Sequence, residues 1–226
     1  HSTYNQTRGE EFGTGTGRLS CLAAGTQVMI PGGTKNIEDV KGGDLVYSYD
    51  ADRRLVLRKV AWSGQTGVKT LFRVHWVGSG HRHSGYLDAT ADHPVRLTNG
   101  GYTRVDQLKG RRVKKTEWRG RRYKGGEHVL ALHRKVRTFK LGGPRNYLFC
   151  TGVKKDFKES RFVFEQVNGW LPPIVHHDDG NSLNDNPINL LASDSLSHGR
   201  HHNGEIPREE YVRRSNARSQ EAKAAS

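Results

Sequence analysis

An all-β domain followed by a small α+β domain is the fold this sequence predicts, and three observations carry the prediction. Between Cys21 and about Phe139, short alternating runs stand between turn signals: TQVMI before PGG, DLVYSYD before ADRR, TLFRVHWV before GSG. Runs of that length, punctuated by Gly and Asp, form strands, and no long helical periodicity interrupts them. The 27 glycines among 226 residues favour short strands over long helices. Near Gly142 the composition changes, and a polar, histidine-rich stretch begins thirty residues later. The expected organisation is a flexible leader over 1–20, a β domain over 21–141 and a second domain over 142–226.

The leader is polar and glycine-rich and ends GTGTGRLS. Spaced glycines are a weak phosphate-loop signal here, because no Gly-Lys-Ser/Thr follows and no strand precedes. Within the β domain, NIEDVKGGDLVYSYD and RVDQLKGRRVKK both place a polar-apolar lead before Lys-Gly and a strand, which hints at internal duplication. The basic run RRVKKTEWRGRRYK, Arg111 to Lys124, is interrupted by Trp118 and Tyr123. It is either a solvated loop or a surface whose aromatics stack on bases and sugars. In the second domain RNYLFC and SRFVFEQV are each strand or short helix, and GWLPP is a turn. The Asn186–Pro187 pair marks a helix start for the segment reaching His202. The tail from Arg208 carries helix-forming charges and frays into alanines.

Composition narrows the function. Hydrophobic residues make up 33% and mean hydropathy is −0.79, so the cores are modest. No run approaches the roughly 18 apolar residues of a membrane span, and no signal peptide is visible. The two cysteines, Cys21 and Cys150, make neither a disulfide framework nor a four-cysteine zinc site, which fits a reducing, cytoplasmic setting. The formal net charge of +14 points to a polyanionic partner, nucleic acid ahead of a membrane surface, because each neutralised phosphate releases a counterion.

Two groups of residues carry chemistry. Cys21 opens the β domain, and ATADHPV, seventy residues on, holds Thr90 and His93. A cysteine and a distant histidine form a nucleophile–base pair only if the fold joins them; a lone cysteine is otherwise a small buried hydrophobe. Cys21 with AGTQV, NIEDVKGGDLVYSYD, ATADHPV and GYTRVDQLKGRRV resembles the Hint domain of inteins and hedgehog-type autoprocessing proteins, over roughly Cys21 to Val113. That resemblance implies that Cys21 attacks the Ser20 carbonyl to form a thioester, while Thr90 and His93 polarise and protonate the scissile amide. The first twenty residues would then be a remnant of a host protein. Splicing in that family also needs a terminal Asn followed by Cys, Ser or Thr, whereas this sequence ends AKAAS. Either the domain is degenerate, or a second chain supplies its carboxyl-terminal strands, as in split inteins.

The second group is VHHDDGNSLNDNPINLLASDSLSHGRHH, Val175 to His202, with five histidines and four asparagines. A metal-ion nuclease needs a divalent cation held by few protein ligands, and a neutral imidazole nearby to deprotonate water. Adjacent histidines on a strand point to opposite faces, so His176 and His177 serve both roles only where the strand twists or ends. An all-histidine structural zinc site and a solvated loop are the rival readings. The run, with FVFEQVNGWLPPIV before it, resembles the HNH (His-Me finger) endonucleases of phage-type homing enzymes over about Asn146 to His202. The resemblance implies His177 as general base, His176 and His198 as ligands of one Mg2+ or Mn2+, and Asn189 as the residue that orients His177 or braces the turn. His202, one helical turn beyond His198, fits a ligand position almost as well.

Taken together, the two resemblances imply an all-β Hint domain followed by a small α+β ββα-metal (HNH) domain. The implied activity is cleavage or nicking of double-stranded DNA, as an intein-associated or free-standing homing endonuclease. A protein-processing element with a vestigial nuclease is the alternative. Backbone contacts to DNA are expected from Arg111, Arg112, Lys114, Lys115, Arg119, Arg121, Arg122 and Lys124, and from Lys154, Lys155, Lys158 and Arg161.

Overall fold

The computed structural model describes residues 2–6, 21–50, 52, 54–77, 84–110, 112–115, 121–124, 133–139, 145–151 and 156–225. In chain order the strands begin with β1 (Ser2–Gln6), β2 (Leu22–Ala23), β3 (Gln27–Ile30), β4 (Gly33–Asn36), β5 (Leu45–Tyr49) and β6 (Leu55–Lys59). They continue with β7 (Trp62–Gly67), β8 (Phe72–Val77), β9 (Ser84–Ala89), β10 (Pro94–Arg96), β11 (Tyr102–Arg104), β12 (Arg112–Lys115) and β13 (Arg121–Lys124). Next come β14 (His133–Phe139), β15 (Arg145–Thr151), β16 (Asp156–Lys158), helix α1 (Glu159–Asn168), β17 (Ile174–His177) and β18 (Leu190–Ser193). Helices α2 (Ser195–His202) and α3 (Arg208–Ala224) complete the described elements. The class is α+β: small antiparallel sheets, with the three α-helices of the described residues all beyond position 158. No helix among the described residues is long and apolar enough to cross a membrane.

Two compact units emerge. The first takes in His1–Val28, Lys35–Asp44 and Lys59–Ala131; the second takes in Met29–Thr34, Leu45–Arg58 and Leu132–Ser226.

In the first unit a five-stranded antiparallel sheet runs in the order β7-β1-β2-β9-β8. Strand β1 places Ser2–Gln6 between β7 and β2, where the sequence predicts a flexible leader. The sheet edge offered by β7 supplies backbone partners that a polar five-residue segment does not advertise. Period-two alternation turns Val74, Leu87 and Ala89 to one face, where they pack with Leu22, Val95, Val105 and Leu108. The two look-alike segments adopt the same local form: Ile37–Asp39 and Val105–Gln107 are both 3-10 turns with a buried first residue. The basic run folds in part as the β12–β13 hairpin, pairing Arg112 with Lys124 and Lys114 with Arg122.

The second unit is built around the β17–β18 hairpin. Val175 pairs with Ala192 and His177 with Leu190, while His176 pairs with Leu191. Val175, Leu190 and Ala192 pack on Val163 and Phe164 of α1, with Trp170 edge-on to Phe164. Leu191, on the opposite face, packs with Ile206 and Tyr211, the latter on α3. The hairpin is thus covered by α1 on one side and by α3 on the other. Helix α1 ends at Gly169, whose φ of 80° is the left-handed cap that glycine adopts without strain. The helix expected to start at the Asn186–Pro187 pair does not form there. Pro187–Asn189 is a 3-10 turn, and the backbone then pairs as β18 before α2 begins at Ser195.

Candidate functional site

Strand alternation decides what surrounds the two adjacent histidines. His176 and His177 are both buried, at 5% and 6% exposure, on opposite faces of β17. His176 faces α2 and α3, with ring centroids 5.2 Å from His198, 5.2 Å from His202, 5.3 Å from His201 and 5.0 Å from Tyr211. His177 faces the other way, towards Asp185 and the Tyr147 ring, whose centroid is 6.4 Å away.

On the first face a triad of nitrogens converges. His176, His198 and His202 each offer one ring nitrogen, and all three atoms lie within 4.8 Å of one another. His198 and His202, four residues apart on α2, bring their Nε2 atoms to 3.3 Å. That separation is the edge of a tetrahedron whose centre lies about 2.0–2.1 Å from each nitrogen, the length of a zinc–imidazole bond. The triad grades from buried His176 through half-buried His198 to exposed His202, so it opens to solvent on one side. Burial, followed by the neighbouring histidines, pushes His176 down to about 4. It is therefore neutral at pH 7, the form that donates a lone pair to a metal. His201, also on α2, is held away: its ring stacks on Tyr211 at 4.3 Å and its Nδ1 donates to the Ile206 carbonyl at 3.0 Å.

Helix α2 is short, and its placement depends on its ends. Asp194 caps it, accepting from the Ser197 N–H at 2.7 Å and from the Ser197 hydroxyl at 2.9 Å. Arg218 of α3 donates to Asp194 and to Ser197, and the Ser215 hydroxyl accepts from the Ala192 N–H at 2.8 Å. Helix α3, legible in the sequence only as a charged tail, therefore clamps both the strand and the helix that carry the triad.

On the second face His177 Nε2 lies 2.7 Å from Asp185 Oδ1. Asp185 is 1% exposed, and burial pushes its carboxyl up against the opposing pull of the histidine. Sequence reading missed Asp185 because nothing in the spacing of eight residues marks it. Asn189 braces the intervening loop: its Nδ2 donates to Asp179 Oδ1 at 2.9 Å and to the Asn184 carbonyl at 2.8 Å, and its Oδ1 accepts from the Asp179 N–H at 3.0 Å. It makes these bonds to the loop, and none of them is to His177.

The first unit brings Cys21 and Thr90 together, with His93 joined to Thr90 through the backbone. Cys21 is 1% exposed; its N–H donates to Thr90 Oγ1 at 3.0 Å, and its carbonyl accepts from the Thr90 N–H at 2.9 Å. The His93 N–H donates to the Thr90 carbonyl at 3.0 Å. Its Nδ1 is buried without a hydrogen-bond partner among the described residues, and burial lowers His93 to about 4.

Of the residues expected to meet DNA, Arg111, Arg119, Lys154 and Lys155 lie outside the described residues. Arg112, Lys114, Lys115, Arg121, Arg122 and Lys124 belong to the β12–β13 hairpin. Lys158 and Arg161 have structural engagements of their own: the Lys158 ammonium sits 3.5 Å from the Tyr147 ring centroid, and Arg161 donates to the Pro172 and Pro173 carbonyls. No protein-family model, no curated protein and no solved structure matches this chain.

Proposed function

We propose that the second unit is a metal-dependent endonuclease of the HNH type acting on double-stranded DNA. The observation that supports this reading is the juxtaposition on one strand of a solvent-open imidazole triad and a buried His–Asp pair. A closed structural site takes four ligands, commonly with cysteine; three histidines with an open side leave room for water and substrate. The donor set also bears on the ion. Mg2+ takes oxygen ligands, and three neutral nitrogens suit it poorly, whereas Mn2+ and the later transition-metal dications accept imidazole. His176, His198 and His202 would hold such an ion, whose charge would polarise the phosphate and offset the charge developing on the leaving oxygen.

In this reading His177 is the base. Its Nε2–H donates to Asp185, which leaves the Nδ1 lone pair to take a proton from water as the water oxygen bonds to phosphorus and the bond from phosphorus to the leaving sugar oxygen breaks. That oxygen then takes a proton from solvent. The Asp185 carboxylate then sits against the imidazolium so formed, as an orienting acid does in a hydrolase triad. His177 is the last residue of β17, and the reading requires the phosphodiester to lie across that strand end, within reach of both faces. The net charge of +14 and the basic hairpin supply attraction for the backbone. Nicking of supercoiled plasmid tests the proposal: Mn2+ or Zn2+ supports nicking, His177→Ala abolishes it, and Mg2+ alone is a weak activator. Nicking by His177→Ala at the unchanged rate would remove the assigned base.

A second reading, autoprocessing by a Hint-type first unit, is favoured by the Thr90 contact. The nitrogen bonded to Thr90 Oγ1 is that of the Ser20–Cys21 amide, the bond that an attack by Cys21 on the Ser20 carbonyl would break. Thiol-accelerated release of the first twenty residues, followed by mass spectrometry and absent in Cys21→Ala, is the expected result; no release in the unchanged protein would remove this reading.

A further inference from the structure

The Asp185 carboxylate has an unusual lack of support. Its Oδ1 meets His177, while its Oδ2 is buried without a hydrogen-bond partner among the described residues. Among the described residues no second side-chain bond fixes the plane of this carboxylate, so its position follows from where the backbone of residue 185 is held. One hold on that backbone is local, the Asn189 Nδ2 bond to the Asn184 carbonyl; the other comes from far away in sequence. Pro31 and Gly32 join β3 to β4; Pro31 is buried and Gly32 has a φ of 75°, the signature of a type II turn. A methyl group on Gly32 would lie 3.0 Å from the backbone nitrogens of both Asp185 and Asn186, and 3.3 Å from the Asp185 carbonyl carbon. These are backbone atoms, which cannot swing aside.

The turn is itself pinned. Glu159, 0% exposed at the start of α1, accepts from the Gly32 N–H at 3.1 Å and from the Tyr47 hydroxyl at 2.8 Å. The Arg134 guanidinium bonds both Glu159 oxygens, at 2.7 and 2.5 Å, and donates to the Ile30 and Gly33 carbonyls at 2.6 Å each. A buried ion pair of this kind contributes little net stability after desolvation, yet breaking it is costly, so it fixes geometry rather than adding energy.

We propose that the Ile30–Gly33 turn is a positioning element for the His177–Asp185 pair, with Glu159 and Arg134 holding Gly32 as a backstop behind Asp185. The inference rests on the reading of His177 as the base, and it assigns part of the nuclease apparatus to a hairpin in the amino-terminal part of the chain. Gly32→Ala pushes the Asp185 backbone outward and loosens the imidazole, while the metal triad on the other face of β17 is untouched. Gly169→Ala is the control, because Gly169 has a comparable φ of 80° and nothing within 4 Å of the added carbon.

The test measures single-turnover plasmid cleavage, apparent DNA affinity and Zn2+ affinity in the full chain. Gly32→Ala lowers the cleavage rate by roughly ten- to a hundredfold, the scale of a sub-ångström to one-ångström misplacement, with both affinities within about twofold. Tyr47→Phe, which removes one bond to Glu159 and leaves the ion pair, gives the same signature at smaller amplitude and guards against a misfolded glycine variant. Gly169→Ala cleaves at the rate of the unchanged protein. Equal rates for Gly32→Ala and the unchanged protein, or equal losses in both glycine variants, overturn the inference and leave the nuclease reading standing. If the unchanged protein fails to cut with every dication tried, the nuclease reading fails, and 15N spectra of the imidazoles decide the contact alone. Loss of the His177 Nε2–H signal in Gly32→Ala supports the backstop, and its retention refutes it.

Discussion

His93 offers a stability test with a magnitude that follows from burial. In the folded chain burial lowers it from 6.5 to about 4, and the nearby Asp92 recovers only part of that loss. Between those two values the unfolded chain takes up a proton that the folded chain refuses, so stability falls as pH drops from 7 towards 4 and is unaffected above 7. At about 1.4 kcal/mol per pH unit the ceiling is about 3 kcal/mol, and about 2 kcal/mol is already lost at pH 5. Other groups titrate over the same range, so the quantity to measure is a double difference. Urea unfolding of the unchanged protein and of His93→Gln, both metal-free, is followed at pH 7 and pH 5. The unchanged protein is expected to lose about 2 kcal/mol more than the variant between the two pH values. Equal losses would refute the reasoning: His93 would then be charged or solvated in the folded state, and its Nδ1 would not face the dry interior from which the autoprocessing reading draws it.

Three further outcomes are expected. Asp185→Asn removes the charge that balances the His177 imidazolium, lowering plasmid nicking by roughly 10²–10⁴-fold while Zn2+ affinity by isothermal titration stays unchanged. Thr90→Ala leaves the buried Cys21 N–H without its acceptor, costing about 1–3 kcal/mol in urea unfolding and slowing thiol-dependent release of the first twenty residues. His202→Ala lowers Zn2+ affinity by about tenfold or more, whereas His201→Ala, whose Nδ1 is committed to the Ile206 carbonyl, changes it by less than about threefold; equal losses would place His201 in the ligand set.

The class of the fold was readable because its signals are local. Short alternating runs with glycine turns became strands, and the paired NIEDVK and RVDQLK segments became matching 3-10 turns. Strand alternation also told in advance that His176 and His177 face opposite ways, and helical spacing related His198 to His202. What lay over each face was not readable. Asp185 is positioned by a loop that Asn189 braces and by a turn more than 150 residues away. Tyr211 and Arg218 come from a tail whose mean pattern is simply charged. The helix start placed at Asn186 failed because Leu190–Ser193 pairs with Ile174–His177, and such pairing outweighs a local Asn-Pro signal without leaving a trace in it. Arg161 reads as a phosphate contact by charge, and its bonds to the Pro172 and Pro173 carbonyls beyond α1 leave no mark in the sequence.

The proposed metal centre stands or falls on where a cation binds. Anomalous diffraction from crystals of the full chain equilibrated with Zn2+ or Mn2+ measures this directly. A single strong peak is predicted at about 2.0–2.2 Å from ring nitrogens of His176, His198 and His202, with at least one coordination position facing solvent. A peak ligated elsewhere, or none at the triad, would contradict the metal centre, and the endonuclease proposal with it.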